Sequence, residues 1–372
     1  MNQSTLNAYL VKLTPLKPFF FGGEITFGAD QQDNYLVKSN FYPQQTSILG
    51  MLRQLILHQT DLLIRKDRDL VLTDASKAKD YVGYQSFRPN KKQENDFGII
   101  DRISPVFIFN KERYFQAPYD EGLVFEPEEN GSTFQNKPLV KLHNYKPKNG
   151  VINQLMSIKK ELNYLDKEAK PGVFIPQSQI GINKSPNGAA DTDAFFKQTR
   201  FLMKDGFCFA FFLTLNDKMA FTPENTVTTL GGEKSLFKIE FVAQDTASWN
   251  TQISHGDNLT GKVKPPSDTN IKRVVLLSNT YAEPHLLNDT VFSITKSIPF
   301  RHWVTDLSLK HYHNLMDEDQ SSNKAPRRSV KYNLLRKGSI FYVDADNLDD
   351  VTTHLDSFKD FQQIGYNYYQ VL

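Results

Sequence analysis

The sequence predicts an α+β fold built in two parts, and three observations carry that expectation. Short runs such as Ala8–Thr14 and Phe237–Val242 alternate apolar and polar residues, the period of a half-buried strand. Two segments have a helical period instead: Ile48, Leu49, Met51, Leu52, Leu55 and Ile56, and later Leu348, Val351, Leu355 and Phe358. One such helix among strands in each half is the pattern of two α+β sandwiches. The boundary is expected near Lys170, giving domains 1–170 and 171–372, and a chain of 372 residues has room for both.

Taken in order, the strand at Ala8–Thr14 is broken by Pro15 and Pro18 and runs into Phe19-Phe20-Phe21-Gly22-Gly23. A loop over Glu24–Asp33 precedes the first helix, and Asp61–Lys79 is charged and partly helical. Phe87–Asp101 reads as a loop, Ile103–Phe109 as a strand, and Arg113–Tyr119 as a second segment. Glu126–Lys148 has many turn formers and reads as an insertion loop, while Val151–Lys170 has a weak helical pattern. Phe195–Met203 and Phe207–Leu215 read as a hairpin joined at Asp205-Gly206. Leu230-Gly231-Gly232-Glu233 repeats the Gly-Gly turn, suggesting equivalent places in two related halves. Ala243–Ser267 is polar. Strands follow at Arg273–Ser278 and Ser339–Val343, separated by a serine-rich acidic loop, and the chain closes with the aromatic strand Tyr366–Leu372.

Hydrophobic content of 39% against 23% charged residues supports a packed core rather than global disorder. Net charge is only +2, so a nucleic-acid partner would need locally clustered cations. The one cysteine, Cys208, lies in FCFAFFL and reads as a small buried hydrophobe. No signal peptide is evident, and no apolar run approaches the roughly 18–20 residues that span a bilayer. A soluble cytoplasmic protein is expected.

The first helix offers more than a core stripe. Tyr42-Pro43 ends an extended entry, Gln45 follows, and Thr46 or Ser47 can cap the helix. Thr46, Gly50 and Arg53 fall at i, i+4 and i+7 on the other side: a hydroxyl, a bare backbone and a guanidinium. The positive end of a helix suits a phosphate, and Gly50 would let a polymer backbone come close. The plainer alternative is a core helix with Arg53 in solvent.

The strongest charge feature is KAPRRSVKYNLLRK, with Lys324, Arg327, Arg328, Lys331, Arg336 and Lys337 around Tyr332 and no acidic residue. Cations interleaved with an aromatic suit phosphates and a stacked base; a solvated loop or guarded strand edge is the alternative. His311 and His313 form H-x-H near His302 and Asp306, a spacing that could serve acid–base chemistry or a metal, though an accidental polar loop explains it too. No P-loop, dinucleotide fingerprint, H-E-x-x-H or nucleophile elbow is present, so no enzyme, cofactor or metal is expected.

Three pieces in order, FFFGGEITFG with FYPQQTSILGMLR, TRFLMKDGFCFAFFLTL with TTLGGEKSLFKIEF, and KAPRRSVKYNLLRKGSIFYV, resemble the third subunit of the Cmr complex, the type III-B CRISPR effector. That family belongs to the RAMP superfamily and is similar to the fourth subunit of the Csm complex. The resemblance implies two ferredoxin-like (RRM-like) RAMP domains with inserted loops, without nuclease activity. It implies binding of the repeat-derived 5′ tag of the CRISPR RNA and joining of the large polymerase/cyclase subunit to the backbone RAMP subunits. An endoribonuclease that processes CRISPR precursor RNA is the alternative. Carried onto this chain, RNA contact falls to Gln45, Thr46, Ser47, Gly50 and Arg53, to Gly231, Gly232 and Lys234, and to Arg327, Arg328, Lys331 and Tyr332. The glycine-rich loop usual near the RAMP C-terminus is reduced here to Ile364-Gly365-Tyr366.

Overall fold

The computed structural model describes residues 7–22, 36–66, 69–84, 86–89, 95–120, 124–127, 133–134, 137–138, 140–143, 155–157, 172–184, 190–231, 234–245, 270–304 and 327–372. Contacts divide the chain into two compact units. The first comprises Met1–Asn110, Pro171–Thr246 and Phe300–Lys331; the second comprises Lys111–Lys170, Ala247–Pro299 and Tyr332–Leu372. Lys170, the boundary expected from the sequence, is thus one of five places where the chain passes from one unit to the other.

The first unit is organised on strand β1 (Asn7–Pro15), followed by helix α1 (Gln45–Gln59) and the short strands β2 (Ile100–Ile103) and β3 (Phe107–Asn110). Later come β4 (Phe174–Lys184), β5 (Ala190–Met203), β6 (Cys208–Leu215), β7 (Thr226–Leu230) and β8 (Ser235–Gln244). β1 pairs antiparallel with β6 on one side and β8 on the other, so that Val11 lies opposite Phe211 and Phe241. β2 and β3 pair with β6, and β7 with β8, all antiparallel. In β8 the alternation read from the sequence is realised: Phe237 and Ile239 are buried, and the lysine between them is exposed. α1 buries the expected stripe, Ile48, Leu49, Met51, Leu52, Leu55 and Ile56. Each such side chain contributes on the order of 1.5–3 kcal/mol when fully buried.

The expected hairpin at Asp205-Gly206 is not formed. β5 pairs with β4, and in parallel with Leu36–Lys38, whereas β6 pairs with β1, β2 and β3. The reason lies in β6 itself: all eight of its residues are buried, so both faces need cover and the strand takes an interior place. Gly206, at φ +82°, turns the chain from one sheet into the other. Other local readings also shift. Val124–Pro127 pairs with Val140–His143, and Thr133–Phe134 with Lys137–Pro138, inside the stretch read as an unstructured insertion. Leu155–Ser157, read as weakly helical, is a strand paired with Glu112–Gln116. Gly22 and Gly231 both belong to the first unit and do not mark equivalent places in two halves.

The second unit contains β9 (Ile271–Leu276), a 3₁₀ helix (Pro284–Asp289), β10 (Phe292–Ile294), β11 (Ile340–Asp344), α2 (Leu348–Asp356) and β12 (Tyr369–Val371). Its sheet order is β10-β11-β9-β12, antiparallel throughout. Val351 and Leu355 of α2 and Leu286 of the 3₁₀ helix close over Val274, Leu276, Phe341 and Val343. Counting strands in chain order, this is second-third-first-fourth. In the first unit the sheet runs β3-β6-β1-β8-β7, with β2 also paired to β6; its part from β3 to β8 has the same order once β7 and the separately paired β4 and β5 are set aside. The helices differ: α1 follows the first strand in the first unit, while α2 follows the third strand in the second. Asp349 and Asp350 stand in the first turn of α2, where negative charge favours the helix.

A buried ionic cluster ties the second unit together. Asp120 Oδ2 accepts from Arg273 Nε at 3.0 Å, from an Arg273 terminal nitrogen at 2.6 Å and from the Tyr342 hydroxyl at 2.5 Å. The Asp120 side chain is wholly inaccessible and that of Arg273 is 3% exposed. Burial, then the charge and hydrogen bond of Asp120, hold the Tyr342 phenol in its protonated form. Among the described residues no helix is long and apolar enough to cross a membrane.

Asp120→Ala leaves a buried guanidinium uncompensated and is expected to lower stability by about 3–5 kcal/mol in denaturant unfolding. Cys208 is buried, and burial first, then Glu240 against an opposing pull from Lys12, pushes its thiol up to about 11. At pH 8 the folded chain should therefore react with a thiol reagent at least about a hundredfold more slowly than the unfolded chain. Equal rates would show that the strand frays at Cys208.

Candidate nucleic-acid interface

The segment Phe19–Gly22 joins the pieces singled out in the first unit. Phe19 is exchanged with Phe201 through backbone hydrogen bonds of 2.8 and 3.1 Å. The next two amides are taken by serines: Phe20 N–H donates to Ser235 Oγ at 3.2 Å and Phe21 N–H to Ser39 Oγ at 2.8 Å. Ser39 in turn donates to the Asn40 carbonyl at 2.8 Å, and Asn40 Nδ2 donates to the Gly22 carbonyl at 3.1 Å. The rings of Phe19 and Phe21 pack among Phe209 and Phe237 at centroid distances of 4.8–6.3 Å. One side of this ribbon therefore holds the entry to α1 and the other holds the β7–β8 turn.

That turn approaches the ribbon so closely that Gly231 has no substitute. Its φ is +91°, and a Cβ there would lie 2.4 Å from the Phe20 carbonyl oxygen. Lys234 N–H donates to the Gly231 carbonyl at 3.2 Å, with Lys234 itself left-handed at φ +49° and its side chain exposed. Gly232 lies outside the described residues.

The α1 residues separate into two groups. Gln44, not Thr46 or Ser47, is the N-cap, and it makes no side-chain cap hydrogen bond. Thr46 and Ser47 lie inside the first turn because the extended entry continues to Gln44, whose carbonyl accepts the amides of Ser47 at 2.9 Å and Ile48 at 3.1 Å. Gln45 is buried and donates through Nε2 to the Ser104 carbonyl at 2.9 Å, anchoring the helix start. Ser47 and Gly50 are exposed, Thr46 is half-buried, and nothing lies within 4 Å of the place a Gly50 Cβ would occupy. No acidic residue stands in the first turn. Arg53 folds back onto the protein. Its guanidinium donates to the Asp96 carbonyl at 3.1 Å and lies 5.3 Å from the Phe97 ring centroid. Burial lowers its pKa to about 10, against an upward pull from Asp96, so it stays charged at neutral pH.

The basic run divides between the two units. Arg327–Arg328 forms a short strand paired with Trp303–Val304, and Lys331 is exposed. Lys324 lies outside the described residues. Tyr332 belongs to the second unit and meets Tyr281 edge-to-face at 5.9 Å; burial, then Tyr281, raises its pKa. Lys337 departs from the reading of a solvated basic stretch. Burial, then Arg336, holds its ammonium well below the usual range.

His302, one of the three histidines considered for chemistry, is a packing residue. It sits between Phe87 at 5.7 Å and Phe300 at 5.4 Å. Burial lowers its pKa, opposed by a Phe87 backbone hydrogen bond and assisted by Arg88. His311, His313 and Asp306 lie outside the described residues. The sequence placed Ser39 and Ser235 at the ends of candidate segments but gave no sign of the amides they accept. A serine after a strand and another before one carry no local signal, since their partners come from 18 and 215 residues away.

A family model described as CRISPR-associated protein (Cas_Cmr3) matches residues 11–371. Among solved structures, a chain from the cryo-EM structure of the type III-B Cmr-beta bound to cognate target RNA is 14% identical, with a TM-score of 0.46 over 97% of this chain and 96% of that one. A chain from the crystal structure of the Csm3-Csm4 subcomplex in the type III-A CRISPR-Cas interference complex is 12% identical, with a TM-score of 0.35 over 90% and 96%. No curated protein matches the chain.

Two substitutions test the ribbon. Ser39→Ala leaves the buried Phe21 amide without its acceptor and is expected to destabilise by about 1–3 kcal/mol. Gly231→Ala forces a Cβ against backbone at positive φ and should cost at least as much, roughly 1–3 kcal/mol from the backbone alone. Thermal unfolding of the variants measures both; unchanged midpoints would mean that the turn and the ribbon are not coupled.

Proposed function

The chain belongs to the Cas_Cmr3 family of CRISPR-associated proteins, and from that premise we propose that it is a non-catalytic, RNA-binding subunit of a cytoplasmic type III-B CRISPR effector. In this reading it holds the repeat-derived 5′ tag of the CRISPR RNA and joins the large polymerase/cyclase subunit to the backbone RAMP subunits. The family match across residues 11–371 is the observation that carries the proposal. The second-third-first-fourth strand order of the second unit, which is that of a ferredoxin-like fold, and the same order in β3, β6, β1 and β8 of the first support reading the units as two RAMP domains.

Within the first unit the exposed groups supply a chemistry suited to a phosphate backbone. Ser47 offers a hydroxyl at the positive end of α1, Gly50 leaves room for a sugar-phosphate chain, and Lys234 and Lys331 carry exposed charge. Thr46 borders this surface. Gln45 and Arg53 act from beneath it: the first fixes the helix start, and the second adds a positive field held in place by Asp96 and Phe97. Gly231 shapes the turn that presents Lys234, and Gly232 is assigned to the same RNA contact by the resemblance. Arg327 and Arg328 would add phosphate contacts, and Tyr332 a stacking face.

The test is binding of the purified chain, alone and with its operon partners, to RNA carrying the 5′ tag and to RNA with that tag scrambled. Tag preference without cleavage is the expected result. Lys234→Ala or Lys331→Ala should weaken binding and reduce the salt slope by roughly one unit each. Gly50→Gln should impair binding while the fold gains up to about 1 kcal/mol, because an exposed helical glycine is replaced where space is open. Equal binding of both RNAs would remove the tag assignment, and cutting of the RNA would favour the endoribonuclease reading.

A further inference from the structure

The second unit brings together two imidazoles and a carboxylate, none of them among the residues of the RNA reading. Glu283 caps the 3₁₀ helix Pro284–Asp289, His285 lies within that helix, and His354 lies in the last turn of α2. One donor atom from each of the three falls within 4.8 Å of the other two. His285 Nδ1 is 3.4 Å from Glu283 Oε2, and the two imidazole rings meet edge-to-face at 4.7 Å. Ligands bonded to zinc at about 2.0–2.1 Å in a tetrahedron are about 3.3–3.4 Å apart, so this pair already has the spacing of one tetrahedral edge.

The geometry points to a divalent transition-metal site of the zinc class, with Glu283, His285 and His354 as ligands and one open position toward solvent. Its backbone is held by the core: Leu286 and Leu355, the chain neighbours of the two histidines, are buried in the same apolar cluster. The His285 and Glu283 side chains are 59% and 49% exposed, which leaves them room to turn toward an ion. His354 Nε2 accepts the Glu283 amide at 3.2 Å, and an ion bound at that nitrogen would replace this hydrogen bond. Two nitrogens and one oxygen suit zinc and its neighbours better than magnesium or calcium, which take oxygen ligands. A bound ion would clamp the 3₁₀ helix to α2 across 71 residues of chain.

The test uses the full chain without a histidine tag, titrated with Zn²⁺ by calorimetry and followed by thermal unfolding. One Zn²⁺ per chain is expected, with a raised unfolding midpoint that Mg²⁺ does not reproduce. His285→Gln alters an exposed side chain, so its metal-free midpoint should match the parent while its Zn²⁺ affinity falls by more than about tenfold, a loss that even outer-ligand changes produce. Glu283→Gln and His354→Gln should lower Zn²⁺ affinity by a similar factor, and His311→Ala/His313→Ala should leave binding intact. Absence of stoichiometric Zn²⁺ binding would overturn the proposal, as would binding that survives in His285→Gln or disappears in His311→Ala/His313→Ala.

Discussion

The burial of Phe19, Phe20 and Phe21 is the constraint on which the first unit depends. Three consecutive apolar rings cannot be sunk into a core without taking their backbone amides with them, and a buried amide left unpaired costs about 1–3 kcal/mol. The chain meets this with a strand partner at Phe201 and with two serine hydroxyls, Ser39 and Ser235. Those serines open the two surface elements of interest: one begins the path into α1, the other begins β8. Anchoring the ribbon therefore fixes the elements that flank it. Gly231 completes the arrangement, because the turn must press against the Phe20 carbonyl and only a side chain of hydrogen fits there.

In the second unit a charged interaction has the comparable place. Asp120 and Arg273 are both buried, so their desolvation is offset only by close pairing and by the Tyr342 hydroxyl on the same oxygen. The cluster links the Asp120 segment to β9 and β11. Nearby, Gly338 packs so tightly that a Cβ would meet Ala117, Gln116 and Tyr119 at 2.9 Å. Apolar packing of α2 and the 3₁₀ helix covers the sheet, and the ionic cluster sets which buried polar groups must meet.

Charge alone does not identify an interface here. The cations divide by solvation: Lys234 and Lys331 are exposed, Arg53 is stacked over Phe97, Arg273 is paired in the core, and Lys337 is desolvated beside Arg336. Among the described residues, neither of the first pair has a side-chain hydrogen bond or ion pair that a phosphate would have to break. Reaching the others requires exchanging hydrogen bonds or protein packing for the new contact, which reduces the net gain.

The sequence by itself determined what depends on local periodicity. The stripe of α1, the alternation of β8, the buried strands around Cys208 and Val274, and the amphipathic α2 were all legible, because the spacing of apolar residues dictates which face must leave water. The surface character of Gly50 followed from the same helical geometry. The interleaving of the units, the separation of β5 from β6, the cap at Gln44, the inward turn of Arg53 and the meeting of Glu283 and His285 with His354 were decided only by the tertiary structure. Each depends on which distant segment supplies a partner, and side-chain spacing along the chain holds no information about a contact made across 71 or 215 residues.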